Sequence, residues 1–179
     1  MKTFGRVLTA MITSFNDDGS VNIENSVAIA EHLLNHGSDG LVVCGTTGEN
    51  PTMSRESKIA LFKAIAKACG DKGTIIANVG SNDTKGSVDF VKEVSAIPGI
   101  DGLLVVVPYY NKPNQQGQYL HFKSIAEATT LPIMVYNVPG RVGTGIFPAT
   151  LARLHKEYPH ICAIKEASGN LMIASEIKR

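Results

Sequence analysis

Short runs of β-branched and other apolar residues recur along the chain about every 30 residues, which is the length of one strand–helix–strand unit. We predict six strands, at residues 7–12, 40–44, 74–79, 102–107, 132–136 and 161–165. Several runs, such as residues 103–107, are apolar throughout, because strands of a parallel sheet are buried on both faces. The alternation predicts an α/β fold, either an open doubly wound sheet or a (β/α) barrel.

Between the predicted strands, apolar residues recur at helical spacing and predict helix faces that pack on the sheet. Ser54 is a predicted helix N-cap, and Gly37 and Gly70 are predicted helix ends. The apolar positions are Ile23, Val27, Ala30 and Leu34, then Phe62, Ile65, Ala66 and Cys69, then Leu151, Leu154 and Tyr158.

The chain length favours an open sheet, whereas the glycine pattern does not. A chain of 179 residues suits an open sheet, since a complete eight-stranded barrel needs about 250 residues. A dinucleotide-binding sheet, however, carries G-x-G-x-x-G after its first strand, where this chain has SFNDDG at 14–19. No linker or change of composition divides the chain, so we predict a single domain over residues 1–179.

Composition excludes several classes of function. There are 17 basic and 16 acidic side chains, and without a basic excess we predict no nucleic-acid partner. No apolar run approaches the ~18 residues of a membrane span, and the N-terminal run indicates a strand and not a signal peptide. Cys44, Cys69 and Cys162 are predicted to be reduced core thiols of a cytoplasmic protein, although a reactive Cys44 is an alternative.

Polar motifs follow four of the predicted strands where each strand ends. They are GTTGE at 45–49, PYYNKP at 108–113, YNVPGR at 136–141 and KEASGN at 165–170. Ligands of parallel α/β folds bind at the carboxyl ends of the strands. We therefore predict a small-molecule site that these motifs line together.

Lys165 and Tyr136 carry the predicted chemistry. Strand alternation places Ile161, Ala163 and Lys165 on one face, and Met134 and Tyr136 on one face of the neighbouring strand. A desolvated lysine amine can attack a carbonyl to form a Schiff base, and a phenol can move the protons that this needs. A solvated strand-end lysine and a packing tyrosine are the alternatives for each residue taken alone.

The remaining candidates are anion-binding groups. Thr46, Thr47 and Gly48 offer hydroxyls and backbone N–H groups to a carboxylate, although a plain strand–helix turn is the alternative. Arg141 is suited to a second carboxylate, or is a surface arginine. The five histidines form no ligand set, so we predict no metal.

Taken together, these motifs resemble the dihydrodipicolinate synthase family of pyruvate-dependent class I aldolases. The resemblance runs along the whole chain, through TAMIT at 9–13, GTTGE, GSNDT at 80–84, PYYNKP, LHF at 120–122, YNVPGR and IKEASGN at 164–170. It implies a (β/α)8 TIM barrel and a lyase of the carbon–oxygen class, 4-hydroxy-tetrahydrodipicolinate synthase. That enzyme condenses pyruvate with L-aspartate 4-semialdehyde in lysine and diaminopimelate biosynthesis.

The resemblance also implies roles for single residues. Lys165 forms the Schiff base with pyruvate, without any other cofactor. Tyr136, Thr46 or Thr47, and Tyr110 form a proton relay, with Tyr110 reaching a neighbouring subunit's site in a homo-oligomer that is a dimer of dimers in the family. Thr47 and Gly48 hold the pyruvate carboxylate, and Arg141 receives the carboxylate of the semialdehyde.

Two alternatives to this function stay open. The resemblance also changes what the length of 179 residues implies about the fold. N-acetylneuraminate lyases and 2-keto-3-deoxy sugar-acid lyases share the lysine and the tyrosine, and an inactive or regulatory fragment of the same fold is the non-enzymatic alternative. Six βα units account for the chain, so we expect an incomplete barrel, truncated before units 7 and 8 and the C-terminal helices.

Overall fold

Six strands alternate with helices in the computed structural model, which describes residues 4–179. The strands are β1 (Leu8–Ala10), β2 (Gly40–Val43), β3 (Thr74–Asn78), β4 (Gly102–Val106), β5 (Ile133–Asn137) and β6 (Ile161–Glu166). The helices are α1 (Ile23–Asn35), α2 (Arg55–Cys69), α3 (Thr84–Ser95), α4 (Gln115–Ala126), α5 (Pro139–Val142), α6 (Pro148–Glu157) and α7 (Leu171–Ile177), with a short 3-10 helix at Asn50–Thr52.

The strands follow chain order in the sheet, β1-β2-β3-β4-β5-β6. The pairs β1–β2, β2–β3 and β5–β6 are parallel, so the predicted α/β fold with a parallel sheet is confirmed. The first strand is shorter than the predicted range 7–12. The Asp39 carboxylate accepts hydrogen bonds from the backbone N–H groups of Arg6 and Val7 at 2.7 and 2.8 Å, which takes these donors away from strand pairing.

The described chain divides into two compact units. The first comprises Met1–Asn78, described from residue 4, and Glu93–Leu103. Its helix α2 begins where predicted, with the Ser54 side chain accepting a hydrogen bond from Ser57 N, and Gly70 caps its end. The predicted apolar stripe of this helix is buried: Phe62, Ile65, Ala66 and Cys69. Packing on the parallel strands, and not helix propensity alone, stabilises such a helix.

The second unit comprises Val79–Lys92 and Leu104–Arg179. Helices α4 and α6 are joined by Tyr119, whose hydroxyl donates to Glu157 at 2.5 Å and whose ring lies 3.6 Å below the Arg153 guanidinium carbon. Helix α4 also buries two polar side chains, Gln118 and His121. None of the described helices is both long and apolar enough to cross a membrane.

The cysteine prediction is only partly correct. No disulfide joins the three thiols, and Cys44 and Cys69 are buried, but Cys162 is exposed. Cys162 lies in β6, where it has no partner residue in the register with β5. An apolar sequence run therefore did not predict burial at this position.

We expect His121 to make the protein less stable in weak acid. Its Nδ1 lies 2.8 Å from the Thr84 hydroxyl, and burial lowers its pKa from 6.5 to about 4. Between these values the unfolded chain binds a proton that the folded chain does not, so the free energy of unfolding falls as the pH drops from 6.5 towards 4, by at most about 3 kcal/mol. Urea unfolding across this pH range measures the effect.

His121→Gln removes the titrating group and should flatten that pH dependence. His36→Gln, at an exposed position in the first unit, is the matched control and should leave the dependence as it is in the unaltered protein. An equal slope in the protein and in His121→Gln would contradict the prediction.

Candidate active site

Lys165 and Tyr136 meet in the second unit, as predicted. They are register partners in the parallel pair β5–β6, and partner residues direct their side chains to the same face of a sheet. The Lys165 Nζ lies 4.6 Å from the centre of the Tyr136 ring. Tyr136 is 6% exposed and Lys165 is half-buried, so the amine and the phenol share a site that is partly closed to water.

A register irregularity brings this pair together. Ile133 pairs with Ile161, but the next residue, Met134, pairs with Ala163, so Cys162 is an extra residue in β6. The predicted strict alternation of residues 161, 163 and 165 on one face is therefore wrong at its first step. An extra residue of this kind re-aims the side chains that follow it, and here it aligns Lys165 with Tyr136.

The environment of Lys165 favours a neutral amine. Burial lowers the pKa of Lys165, because desolvation disfavours the charged form. Within residues 4–179, no hydrogen bond or ion pair engages its Nζ, which lies over the face of the Tyr136 ring. An amine that is partly desolvated and unpaired is a nucleophile for a carbonyl carbon.

The loop after β4 presents Tyr110 outward. Tyr110 is 88% exposed and adopts a positive φ of 71°, as Lys112 does at 43°. The Asn111 backbone N–H donates to the Tyr109 carbonyl at 2.8 Å, which makes Tyr110 the centre of a tight turn of a rare and strained form. The Asn111 side chain anchors this turn by donating to the Asn82 carbonyl at 3.1 Å.

Arg141 lies in the loop after β5. Helix α5, which contains it, is one turn long, and the Arg141 side chain is exposed and makes no hydrogen bond or ion pair among residues 4–179. A planar, unpaired guanidinium group can bind a carboxylate through two parallel hydrogen bonds. The structure therefore leaves the predicted anion-binding group of this loop available to a ligand.

The GTTGE turn lies in the first unit and follows β2. Thr46 and Thr47 are exposed, and their hydroxyls have no hydrogen-bond partner within the described chain. Gly48 is buried, and its carbonyl accepts a hydrogen bond from the Thr13 hydroxyl at 2.8 Å. A Cβ on Gly48 would lie 3.1 Å from the Met11 carbonyl oxygen, so the close approach of this backbone favours glycine.

Cys44 and Asn78 stabilise the backbone directly before that turn. Cys44 has a positive φ of 54°, and its carbonyl accepts a hydrogen bond from the Asn78 side chain at 2.8 Å. Burial raises the pKa of the Cys44 thiol to about 12, although the nearby Lys58 opposes this. The thiol is protonated at neutral pH, so the alternative of a reactive Cys44 is not supported. Asn78 was not predicted, and its only signal was a polar residue ending a buried strand.

The structure thus places the predicted residues in three groups. Lys165 and Tyr136 are in contact, Tyr110 and Arg141 lie on two loops of the same unit, and Thr46, Thr47 and Gly48 form a turn of the other unit. No cluster of three potential metal ligands is found among residues 4–179. The geometry supports carbonyl chemistry at an amine, together with binding groups for anions.

Known proteins match this chain over nearly its whole length. The model of the dihydrodipicolinate synthetase family matches residues 3–179. Curated 4-hydroxy-tetrahydrodipicolinate synthases of Desulforamulus reducens and Moorella thermoacetica are 51% and 52% identical to the chain, over 98% of its length and 59% and 60% of theirs. The chain therefore spans about 60% of the length of these relatives.

Solved structures give the same result. A dihydrodipicolinate synthase of Bacillus anthracis superposes with a TM-score of 0.95 at 42% identity, over 99% of this chain and 60% of its own. The enzyme of Cyanidioschyzon merolae, solved with lysine bound, gives 0.94 at 44% identity, over 98% and 60%. The predicted fold class, a TIM-barrel family with six βα units present, is thereby confirmed. On its sequence and its fold alike, the chain belongs to the dihydrodipicolinate synthetase family.

Proposed function

We propose that this chain carries the pyruvate-activating lysine of a 4-hydroxy-tetrahydrodipicolinate synthase, which condenses pyruvate with L-aspartate 4-semialdehyde. The observation that carries the proposal is the pair of Lys165 and Tyr136. The amine of Lys165 is half-buried, has a pKa lowered by burial, and lies 4.6 Å from the centre of a buried phenol ring. Family membership supports the choice of substrates.

The proposed reaction begins at the Lys165 Nζ. The neutral amine attacks the ketone carbon of pyruvate, Tyr136 gives a proton to the hydroxyl of the resulting carbinolamine, and loss of water leaves a protonated imine. The positive imine withdraws electrons, so the Tyr136 phenolate can take a proton from the neighbouring methyl carbon, which gives the enamine. The enamine carbon then bonds to the aldehyde carbon of the second substrate, whose oxygen takes the proton back from Tyr136 as the imine re-forms. The amino group of that substrate finally displaces Lys165 from the imine carbon and gives up its proton to Tyr136, which closes the product ring and frees the lysine amine. Tyr136 donates and accepts the protons that move with the water, since its hydroxyl belongs to the ring beside the amine.

The substrate carboxylates require separate binding groups. We assign the pyruvate carboxylate to Thr47 and Gly48, because the turn at 45–49 has unengaged hydroxyls on Thr46 and Thr47. We assign the semialdehyde carboxylate to Arg141, which is exposed and unpaired among the described residues. In this proposal Lys165 is the covalent group, and no metal takes part.

The proposal also covers the oligomeric state of the protein and its location in the cell. The exposed phenol of Tyr110, held on a strained turn, is suited to contact another subunit, as the family resemblance implies. We therefore propose a homo-oligomer, a dimer of dimers, acting in the cytoplasm within lysine and diaminopimelate biosynthesis. Thr46 and Tyr110 complete the proposed proton relay with Tyr136.

We expect pyruvate to form an imine on Lys165 alone. Incubation with pyruvate and borohydride, followed by peptide mass analysis, should find the reduced adduct on the peptide that contains Lys165. Lys165→Arg should abolish the adduct, because a guanidinium does not form imines at neutral pH. Lys156→Arg, at an exposed lysine of α6, should retain it. Absence of the adduct, or an adduct at another lysine, would overturn the proposed function.

We expect Tyr136→Phe to slow the same reaction without preventing it. The ring that shields Lys165 is retained, while the proton-transferring hydroxyl is lost. General acid–base groups contribute about 10²–10⁴-fold to rates. Borohydride added at successive times after pyruvate should show a decrease of this order in the rate of adduct formation. Tyr158→Phe, at a tyrosine that instead bonds Glu127, is the control and should react at the unaltered rate.

We expect Arg141 to act on the second substrate only. Arg141→Ala should raise KM for aspartate semialdehyde by about tenfold or more, the loss expected for a charge-assisted contact, while pyruvate trapping stays unchanged. Arg141→Lys should recover part of the loss, because it keeps the charge but not the planar fork. Steady-state assays with semialdehyde and with sugar-acid aldehydes check this. A preference for the sugar-acid aldehydes would assign the chain to the sugar-acid lyases instead.

A further inference from the structure

Asn137 ends β5 directly after Tyr136 and is 1% exposed. Its side-chain Nδ2 donates to the Glu166 carboxylate at 2.6 Å, and its Oδ1 accepts from the Ile146 backbone N–H at 3.2 Å. Its backbone carbonyl accepts from Ala167 N–H at 2.8 Å. One buried amide therefore connects the end of β5 to two other segments of the second unit.

The first of these segments is the end of β6, which carries Lys165. Glu166 is the next residue, and both of its carboxylate oxygens are engaged, one by Asn137 and the other by the Ser168 backbone N–H at 2.7 Å. Although burial acts in the opposite direction, these hydrogen bonds leave the pKa of Glu166 below its usual value. Asn137 and Glu166 are the register pair that follows Tyr136 and Lys165. The bond between their side chains therefore ties the end of β6 to β5 directly beside the pair that holds the amine, on the opposite face of the sheet.

The second segment is the loop that carries Arg141. The bond from Ile146 to Asn137 closes this loop, joining residue 146 back to the residue at which β5 ends. A Cβ on Gly145 would lie 3.1 Å from the Asn137 Oδ1, so glycine permits the approach. Gln115 of α4 holds the same end of the loop, donating to the Gly145 carbonyl at 2.8 Å and accepting from Phe147 N–H at 2.9 Å.

We propose that Asn137 is a positioning residue for both substrates: its amide N–H holds Glu166, and with it the end of β6 that carries Lys165, against β5, and its amide oxygen closes the Arg141 loop. This rests on the proposed function, since it assigns Lys165 to pyruvate and Arg141 to the second substrate. Asn137 itself touches neither substrate. The two hydrogen bonds use opposite ends of one amide group, so substitutions can separate them.

The experiment measures two rates on the full chain. The first is the rate of pyruvate adduct formation at Lys165 by borohydride trapping, which reports on the Glu166 bond. The second is the rate of tryptic cleavage after Arg141, which reports on local opening of the loop. Neither rate requires the second substrate. Circular dichroism and thermal unfolding show that each variant is folded before its rates are compared.

Three single variants separate the two bonds. Asn137→Asp keeps the oxygen and loses the donor, so adduct formation should slow about tenfold, as for loss of a charge-assisted bond, with tryptic cleavage unchanged. Gln115→Ala, which loosens the loop and leaves Glu166 bound, should speed cleavage and leave adduct formation unchanged. Asn137→Ala should change both rates.

A double variant tests the bond itself. In Asn137→Asp with Glu166→Gln, the new glutamine can donate to the new aspartate and still accept from Ser168 N–H. Both hydrogen bonds of residue 166 are then restored, and in the bond between residues 137 and 166 the donor is now residue 166. Adduct formation should return to within about threefold of the unaltered rate, well inside the tenfold loss of the single variant. A role in general stability alone would not predict slow chemistry in a folded Asn137→Asp that the second substitution rescues.

The outcomes distinguish this proposal from the proposed function. If the unaltered protein forms the Lys165 adduct and Asn137→Asp forms it equally fast, or if the double variant is as slow as the single one, the positioning role is overturned and the function stands. If the unaltered protein forms no adduct, the proposed function is overturned, and this proposal is overturned with it.

Discussion

The register of β6 against β5 is the constraint on which the proposed chemistry depends. Tyr136 faces Lys165 because Cys162 is an extra residue that shifts the pairing before Ala163. Successive side chains of a strand point to opposite faces, so pairing that continued from Ile133 and Ile161 without this shift would place Ile164 opposite Tyr136 and turn Lys165 to the other face. The irregularity is therefore a requirement of the site, and the backbone carbonyl of Asn137, bonded to Ala167 N–H, fixes the pairing at its far end.

Two ionisable residues that are neighbours in sequence have opposite environments. Both carboxylate oxygens of Glu166 accept hydrogen bonds, whereas Lys165 has no hydrogen bond or ion pair within the described chain, lies over the Tyr136 ring and loses hydration on burial. Burying an unpaired charge is unfavourable, so the amine tends to give up its proton. At the same strand end, hydrogen bonds favour the charged form of Glu166, and burial favours the neutral form of Lys165.

The sequence predicted the strands well because parallel strands buried on both faces leave long apolar runs, as in β3 and β4. It also predicted Lys165 and Tyr136 as neighbours. It missed the shift at Cys162, because an inserted residue leaves no trace in an apolar pattern, and for that reason it wrongly placed Ile161 on the Lys165 face. It missed Asn78 and Asn137 as well, since a buried asparagine shows its role only through the partners that tertiary structure provides.

Backbone strain is concentrated in the loops that carry the candidate binding groups. Among the described residues other than glycine, positive φ angles occur only at Cys44, Glu49, Tyr110 and Lys112, beside the GTTGE turn and within the loop of Tyr110. Each costs of order 1–3 kcal/mol, and such cost persists only where surrounding contacts determine the conformation. Asn78 provides such a contact at Cys44 and Asn111 provides one beside Tyr110. Buried or anchored amides therefore hold these strained turns, as Asn137 holds the strand end of Lys165, so Asn78, Asn111 and Asn137 support the groups proposed to meet substrate.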